Sequence, residues 1–246
     1  MPARAQRPTR RPCVVWQGAR IAAAPDTAEL VRRALAYPYE PPAGSFVQIG
    51  DRTLPVPPAE IDVTGRRALL AYGANAAPEA LTRKLAALPP EPIAVLRVAL
   101  TGWDVVYSAH VTRYGAVPAA VVPSPGTVAS VHLVFPSDEQ LAAIAATEGA
   151  NYELTRLVDF SAEFEAGGEG PREIDAFLSV HGPLLSGGAP VALAAIPARD
   201  RAFAELTTPE MIDRVRAALH PDKTLEQFVL HHVKHGGLPI PPDLLG

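Results

Sequence analysis

The stretch Leu69-Leu70-Ala71-Tyr72-Gly73-Ala74-Asn75-Ala76-Ala77-Pro78-Glu79-Ala80-Leu81-Thr82-Arg83-Lys84-Leu85 decides how the chain reads. Ala68 to Tyr72 is a short apolar run of strand type, and Gly73-Ala74-Asn75 breaks it. Pro78 then opens a helix in whose first turn a missing N–H costs nothing. A loop entering a helix N-terminus offers unpaired backbone N–H groups and a partial positive charge. That combination suits a carboxylate, or an oxygen acquiring negative charge. Gly73 lets the backbone approach a ligand closely, and Asn75 tolerates the left-handed conformation such loops often need. Taken alone, the pattern is weak and reads first as a structural turn.

Downstream, Pro89-Pro90 ends the helix. Four strand-like segments follow at Ile93–Leu100, Trp103–Ser108, Ala119–Val122 and Val128–Phe135, with Pro123 and Pro125 marking a turn before the last. Ser137 or Asp138 caps a second helix, Glu139–Thr147. Tyr152–Phe164 and Glu173–Val180 read as further strands, and Leu225 to His235 as a closing helix that stops at Gly236-Gly237. Upstream, Asp26–Tyr37 has helical spacing, and Phe46–Ile49 with Arg52–Val56 forms a hairpin around Gly50-Asp51. The expected fold class is α+β, a mixed or antiparallel β-barrel with flanking helices. Residues 1–65 are expected to be an extension packing on a main domain of residues 66–246, with 1–20 flexible.

Composition limits the alternatives. The chain has 27 prolines in 246 residues, about twice the ordinary share, which argues against long-helix bundles and coiled coils. The one cysteine, Cys13, excludes an intramolecular disulfide or a multi-cysteine metal site and suggests a reducing compartment, hence a cytoplasmic protein. The uncharged stretches Tyr114–Ser137 and Ala176–Ala198 are interrupted by prolines, so no membrane association is expected. Residues 1–25 hold five arginines and no acid, whereas the remainder carries 17 basic against 26 acidic side chains. The acidic body argues against a nucleic-acid partner for the basic tail.

Two further places have side chains that suggest chemistry. Glu148 follows Ile144-Ala145-Ala146 and precedes Gly149, at a helix end where the dipole is unfavourable to a carboxylate. Partial burial there would move its pKa toward the range of a general acid/base, although a surface glutamate fits the same spacing. His231 and His235 share a helix face at the zincin spacing, but His232 stands where the catalytic glutamate would be and no third ligand is evident. No metal site is therefore expected.

Several segments together resemble the γ-glutamylcyclotransferase-like proteins. Leu70-Ala71-Tyr72-Gly73-Ala74-Asn75 is similar to their Tyr-Gly-Ser-Asn signature. Tyr114-Gly115 to Pro123 looks like the family's glycine-marked segment, and Ser124-Pro125-Gly126-Thr127-Val128 like its Pro-Gly turn. Leu141 to Gly149 followed by Tyr152 resembles its helix ending in Glu-Gly, and Gly237-Leu238-Pro239 its closing Gly-Leu-Pro. The similarity runs through residues 67–164 and, more loosely, 219–245.

The resemblance implies release of 5-oxoproline from a γ-glutamyl amine or amide, without metal or organic cofactor. It implies Glu148 as general acid/base and a substrate site formed by Tyr72, Gly73, Ala74, Asn75, Ala76 and Tyr152, with backbone N–H groups of residues 73–76 facing the substrate. It leaves a monomer or a homodimer open. Ala74 replaces the signature serine, and Ala76 the leucine usual after the asparagine. These departures motivate an alternative, a non-catalytic small-ligand-binding or interaction module on the same fold.

Overall fold

The structure is a computed structural model that describes residues 26–57 and 60–246. The arginine-rich segment, Cys13 and Pro58 lie outside these residues. Helix α1 is Thr27–Leu35, strands β1 and β2 are Phe46–Ile49 and Arg52–Pro55, β3 is Leu69–Ala71, and helix α2 is Pro78–Leu85. Strands β4, β5 and β6 are Ile93–Tyr107, His110–Val111 and Ala119–Phe135, followed by helix α3, Asp138–Glu148. Strands β7, β8 and β9 are Tyr152–Arg156, Ser161–Phe164 and Asp175–Ser179; helices α4 and α5 are Thr208–Leu219 and Leu225–His235.

The ladder of β4 against β6 organises the molecule. It runs antiparallel from Ala94↔Phe135 to Tyr107↔Ala119, with one change of register between Thr101 and Gly102. The sequence predicts two strands on each side of this point, and the structure has one continuous strand on each. Thr101 pairs with Val128 and Gly102 with Ser124, so Pro125-Gly126-Thr127 is taken up as a bulge. Proline cannot donate to a ladder and is tolerated at such a bulge. Gly102 adopts φ +99°, and a Cβ there would lie 2.7 Å from the Asp159 carbonyl oxygen.

Strand β6 also pairs antiparallel with β3, and β3 pairs parallel with β9, so the sheet is mixed. The expected strand Tyr152–Phe164 is instead divided, β7 pairing with β9 and β8 with β4. Asp159, at φ 53°, lies between the two. Strand β1 pairs with β2 and with β4, so the segment before residue 65 contributes directly to the sheet. The result is an α+β architecture with an eleven-stranded mixed sheet; no pairing that closes it into a barrel is found among the described residues. No helix among those residues is long and apolar enough to cross a membrane.

Strand alternation assigns the residues before the loop to two cores. Leu69 and Ala71 pack with Phe46, Leu81, Ile144 and Phe177, beneath α2 and α3. Leu70 and Tyr72 face the other cluster, which contains Tyr107, Met211, Ile212 and Phe228. Helix α4, for which no sequence expectation existed, begins with a reciprocal cap between Thr207 and Glu210 and buries Met211, Ile212 and Val215. The segment before α4 is fixed to β4 by Arg201, which meets the fully buried Asp104 at 3.0 Å. Removing the carboxylate in Asp104→Ala leaves the Arg201 guanidinium, only 8% exposed, with Glu205 and the Ile196 carbonyl as its remaining partners, so stability should fall by about 1–3 kcal/mol. Urea denaturation checks this; an unchanged midpoint contradicts it.

Candidate functional site

The chain leaves β3 at Ala71 and turns through Ala74–Ala76, a 3-10 turn whose preceding residue, Gly73, has φ −139° and ψ −141°. Gly73 is required by proximity, because a Cβ there would lie 2.6 Å from the Tyr37 hydroxyl. The turn closes with Ala76 N–H donating to Gly73 O at 3.1 Å and Ala77 N–H to Ala74 O at 3.0 Å. The backbone N–H groups of Gly73, Ala74 and Asn75 have no partner among the described residues. Ala76 differs from expectation: its N–H is used inside the turn, its side chain is in the core, and it does not line the cavity.

Helix α3 starts with a capping box between Ser137 and Gln140 and ends at Glu148, after which Gly149 turns the chain at φ 58°. Helices α2 and α3 bury Leu81 and Ile144 in one cluster, with Leu85 and Leu141 against it. This packing brings the last turn of α2 to the end of α3. Lys84 Nζ donates to Glu148 Oε1 at 2.7 Å and to Asn75 Oδ1 at 2.7 Å, and Asn75 Nδ2 donates to Glu148 Oε1 at 3.0 Å. The ion pair is largely sheltered, its side chains being 13% and 14% exposed. The two donors converge on Oε1, leaving Oε2 without a partner among the described residues. Lys84 supplies a counter-charge at a helix end whose dipole disfavours an anion.

Tyr72, Gly73, Ala74, Asn75, Glu148 and Tyr152 all line one cavity of ≈ 760 Å³. Tyr37 and Tyr114 join them, Tyr37 from the turn after α1. The hydroxyls of Tyr72 and Tyr152 are committed, donating to Phe177 O and to Ala119 O respectively. Tyr37 Oη accepts from Ala119 N–H at 2.9 Å. Burial, with the Glu148 carboxylate as a smaller contribution, pushes the Tyr37, Tyr72, Tyr114 and Tyr152 phenols up and keeps them neutral. Arg33, Arg83, Lys84 and Arg113 also line the cavity, against the one carboxylate of Glu148. That balance favours an anionic ligand.

Lys84 and His110 carried no sequence expectation. Lys84 was visible only as a basic residue in a helix's last turn, and its partner lies 64 positions away. The His231 and His235 rings stand 4.6 Å apart, but no group of three or more His, Cys, Asp or Glu among the described residues is placed to hold a metal ion.

No protein-family profile matches the chain, and no curated protein does. Among solved structures, a solution structure from Arabidopsis thaliana is similar at 16% identity and a TM-score of 0.36, over 46% of this chain and 62% of that one. A γ-glutamyl cyclotransferase is similar at 15% identity and a TM-score of 0.33, over 69% of this chain and 87% of that one.

The sheltered contact between Lys84 and Glu148 should show as energetic coupling. In a cycle of Lys84→Met, Glu148→Gln and the double variant, the two substitutions should be non-additive in stability by about 1–3 kcal/mol. Additivity would mean that the two side chains do not meet in solution.

Proposed function

We propose that this protein releases 5-oxoproline from a γ-glutamyl amine or amide, on a γ-glutamylcyclotransferase-like fold and barrel, with Glu148 as general acid/base. The observation that carries the reading is the meeting of Asn75 and Glu148, 73 positions apart in sequence, at one cavity. In the proposed step the substrate's α-amine attacks its own γ-carbonyl carbon, closing a five-membered ring. Glu148 Oε2, the oxygen without a protein partner, takes the proton from the attacking nitrogen. It returns that proton to the departing amine as the old C–N bond breaks, so the carboxylate is regenerated. The free N–H groups of residues 73–75 would receive the carbonyl oxygen as it gains negative charge. Because the attack is intramolecular, holding the substrate folded would supply much of the acceleration. The cationic side chains suit the α-carboxylate that every γ-glutamyl compound carries.

The Lys84–Glu148 contact favours a second reading, in which the carboxylate is a fixed part of a non-catalytic binding site, consistent with Ala74 in place of the signature serine. Turnover separates the two. A panel of γ-glutamyl amines and peptides is incubated with the protein and 5-oxoproline is measured. The enzyme reading expects release from at least one compound and a loss of kcat of about 10²-fold or more in Glu148→Gln. Binding without product would establish the second reading, whereas a Glu148→Gln variant as fast as the wild type would overturn the role given to Glu148.

A further inference from the structure

His110 is a further polar group on the cavity wall, beside Tyr152. Its ring meets that of Tyr152 edge-on, with centroids 5.7 Å apart, and lines the same cavity while being only 2% exposed. Strand β5 holds it, paired to the C-terminal segment through Pro239↔His110.

The hydrogen bonds around His110 favour one tautomer. His181 N–H donates to Ser179 Oγ at 3.2 Å, Ser179 Oγ is 2.6 Å from Ser108 Oγ, and Ser108 Oγ is 2.8 Å from His110 Nδ1. In the arrangement that gives both hydroxyl hydrogens an acceptor within this group, Ser179 donates to Ser108, and Ser108 donates to Nδ1. The reverse order leaves the Ser179 hydroxyl hydrogen with no acceptor among the described residues. Nδ1 is then an acceptor and Nε2 bears the hydrogen. His110 Nε2 has no partner among those residues, and unlike Nε2 of His132 and His232 it is not sealed away from the cavity.

We infer that His110 Nε2–H is a neutral hydrogen-bond donor for an acceptor oxygen on the amine half of the ligand, with Ser108 and Ser179 as positioning residues that hold its tautomer. His110 meets Tyr152, Ser108 and His181, whereas Glu148 meets Asn75 and Lys84, so the two groups belong to separate sets of contacts on the cavity wall and His110 is assigned to the part of the ligand that does not react. A neutral donor also complements the arginines: they suit charge, and it suits a carbonyl oxygen. The groups facing the imidazole are Ser108, the phenol of Tyr152 on β7, and His181 in the turn after β9. Burial, helped by the His181 ring 4.7 Å away, pushes the His110 pKa down to about 3, so the ring stays uncharged at neutral pH. The inference rests on the proposed γ-glutamyl reading for the choice of ligand, not for the tautomer.

The tautomer is read first, without any ligand. Long-range proton–nitrogen correlation spectra of the full chain labelled on its seven histidines identify His110 by its loss in His110→Gln. The expected pattern is a neutral ring with hydrogen on Nε2 from pH 5 to 8, and loss of that preference in Ser108→Ala. A hydrogen on Nδ1, or protonation within that window, overturns the inference.

The ligand contact is read with γ-glutamylglycinamide, which has a carbonyl in its amine half, and γ-glutamyl-n-propylamine, which has none. His110→Leu should raise KM for the glycinamide about 3- to 10-fold more than for the propylamine, with His110→Gln restoring most of the difference. An equal effect on both compounds overturns it. If neither compound is turned over, the function proposed above fails for them, and the same ratio is read in Kd by calorimetry. Absence of binding by either compound then counts against the contact.

Discussion

One carboxylate oxygen ties the candidate site together. Glu148 Oε1 receives hydrogen bonds from Lys84 at 2.7 Å and Asn75 at 3.0 Å, so the end of α3, the end of α2 and the loop after β3 share one point. The contact depends on packing elsewhere, since α2 and α3 are held side by side by Leu81 and Ile144 over the sheet. It also has a chemical consequence. With both donors on Oε1, the carboxylate is oriented while Oε2 stays open toward whatever fills the cavity. A group that accepts and returns a proton needs both fixed direction and a free oxygen.

The loop itself is constrained from the other side. Gly73 lies against the Tyr37 hydroxyl at a distance that excludes a side chain, and that same hydroxyl accepts from Ala119 N–H. Ala119 O in turn accepts from Tyr152. Tyr37 belongs to the segment before residue 65, so what precedes the strand-loop-helix unit helps build the cavity wall. The tyrosines are held neutral, and the hydroxyls of Tyr72 and Tyr152 already donate to backbone carbonyls, so the polar features left to a ligand include the backbone N–H groups of 73–75, Glu148, His110, the cations and the hydroxyls of Tyr37 and Tyr114.

Local signals were legible in the sequence. Pro78–Leu85 and Leu225–His235 are the helices their caps and apolar spacing predict, and the Phe46–Ile49 hairpin turns where Gly50-Asp51 stands. The loop at 73–75 and Glu148 were recognisable as candidates, and the structure brings them to one cavity. The bulge at Pro125-Gly126-Thr127 reads in the sequence as a turn between strands, because proline marks an interruption without saying whether the ladder resumes. Lys84 and Tyr37 could not be seen, since nothing local to a residue reports a partner 64 or 82 positions away, and nothing local to His110 reports that Tyr152 and, through Ser108, Ser179 come to it. Helix α4 is different: Thr207-Thr208-Pro209-Glu210 is a capping box with an N-terminal proline, a start signal that the sequence itself carries.

A crystal structure of Glu148→Gln bound to a γ-glutamyl compound tests the central claim most directly. The ligand's α-nitrogen should lie within hydrogen-bond reach of the residue 148 side chain, about 2.6–3.2 Å, and its γ-carbonyl oxygen should face the N–H groups of residues 73–75. A ligand bound outside this cavity, or inside it with the α-nitrogen turned away from residue 148, would contradict it.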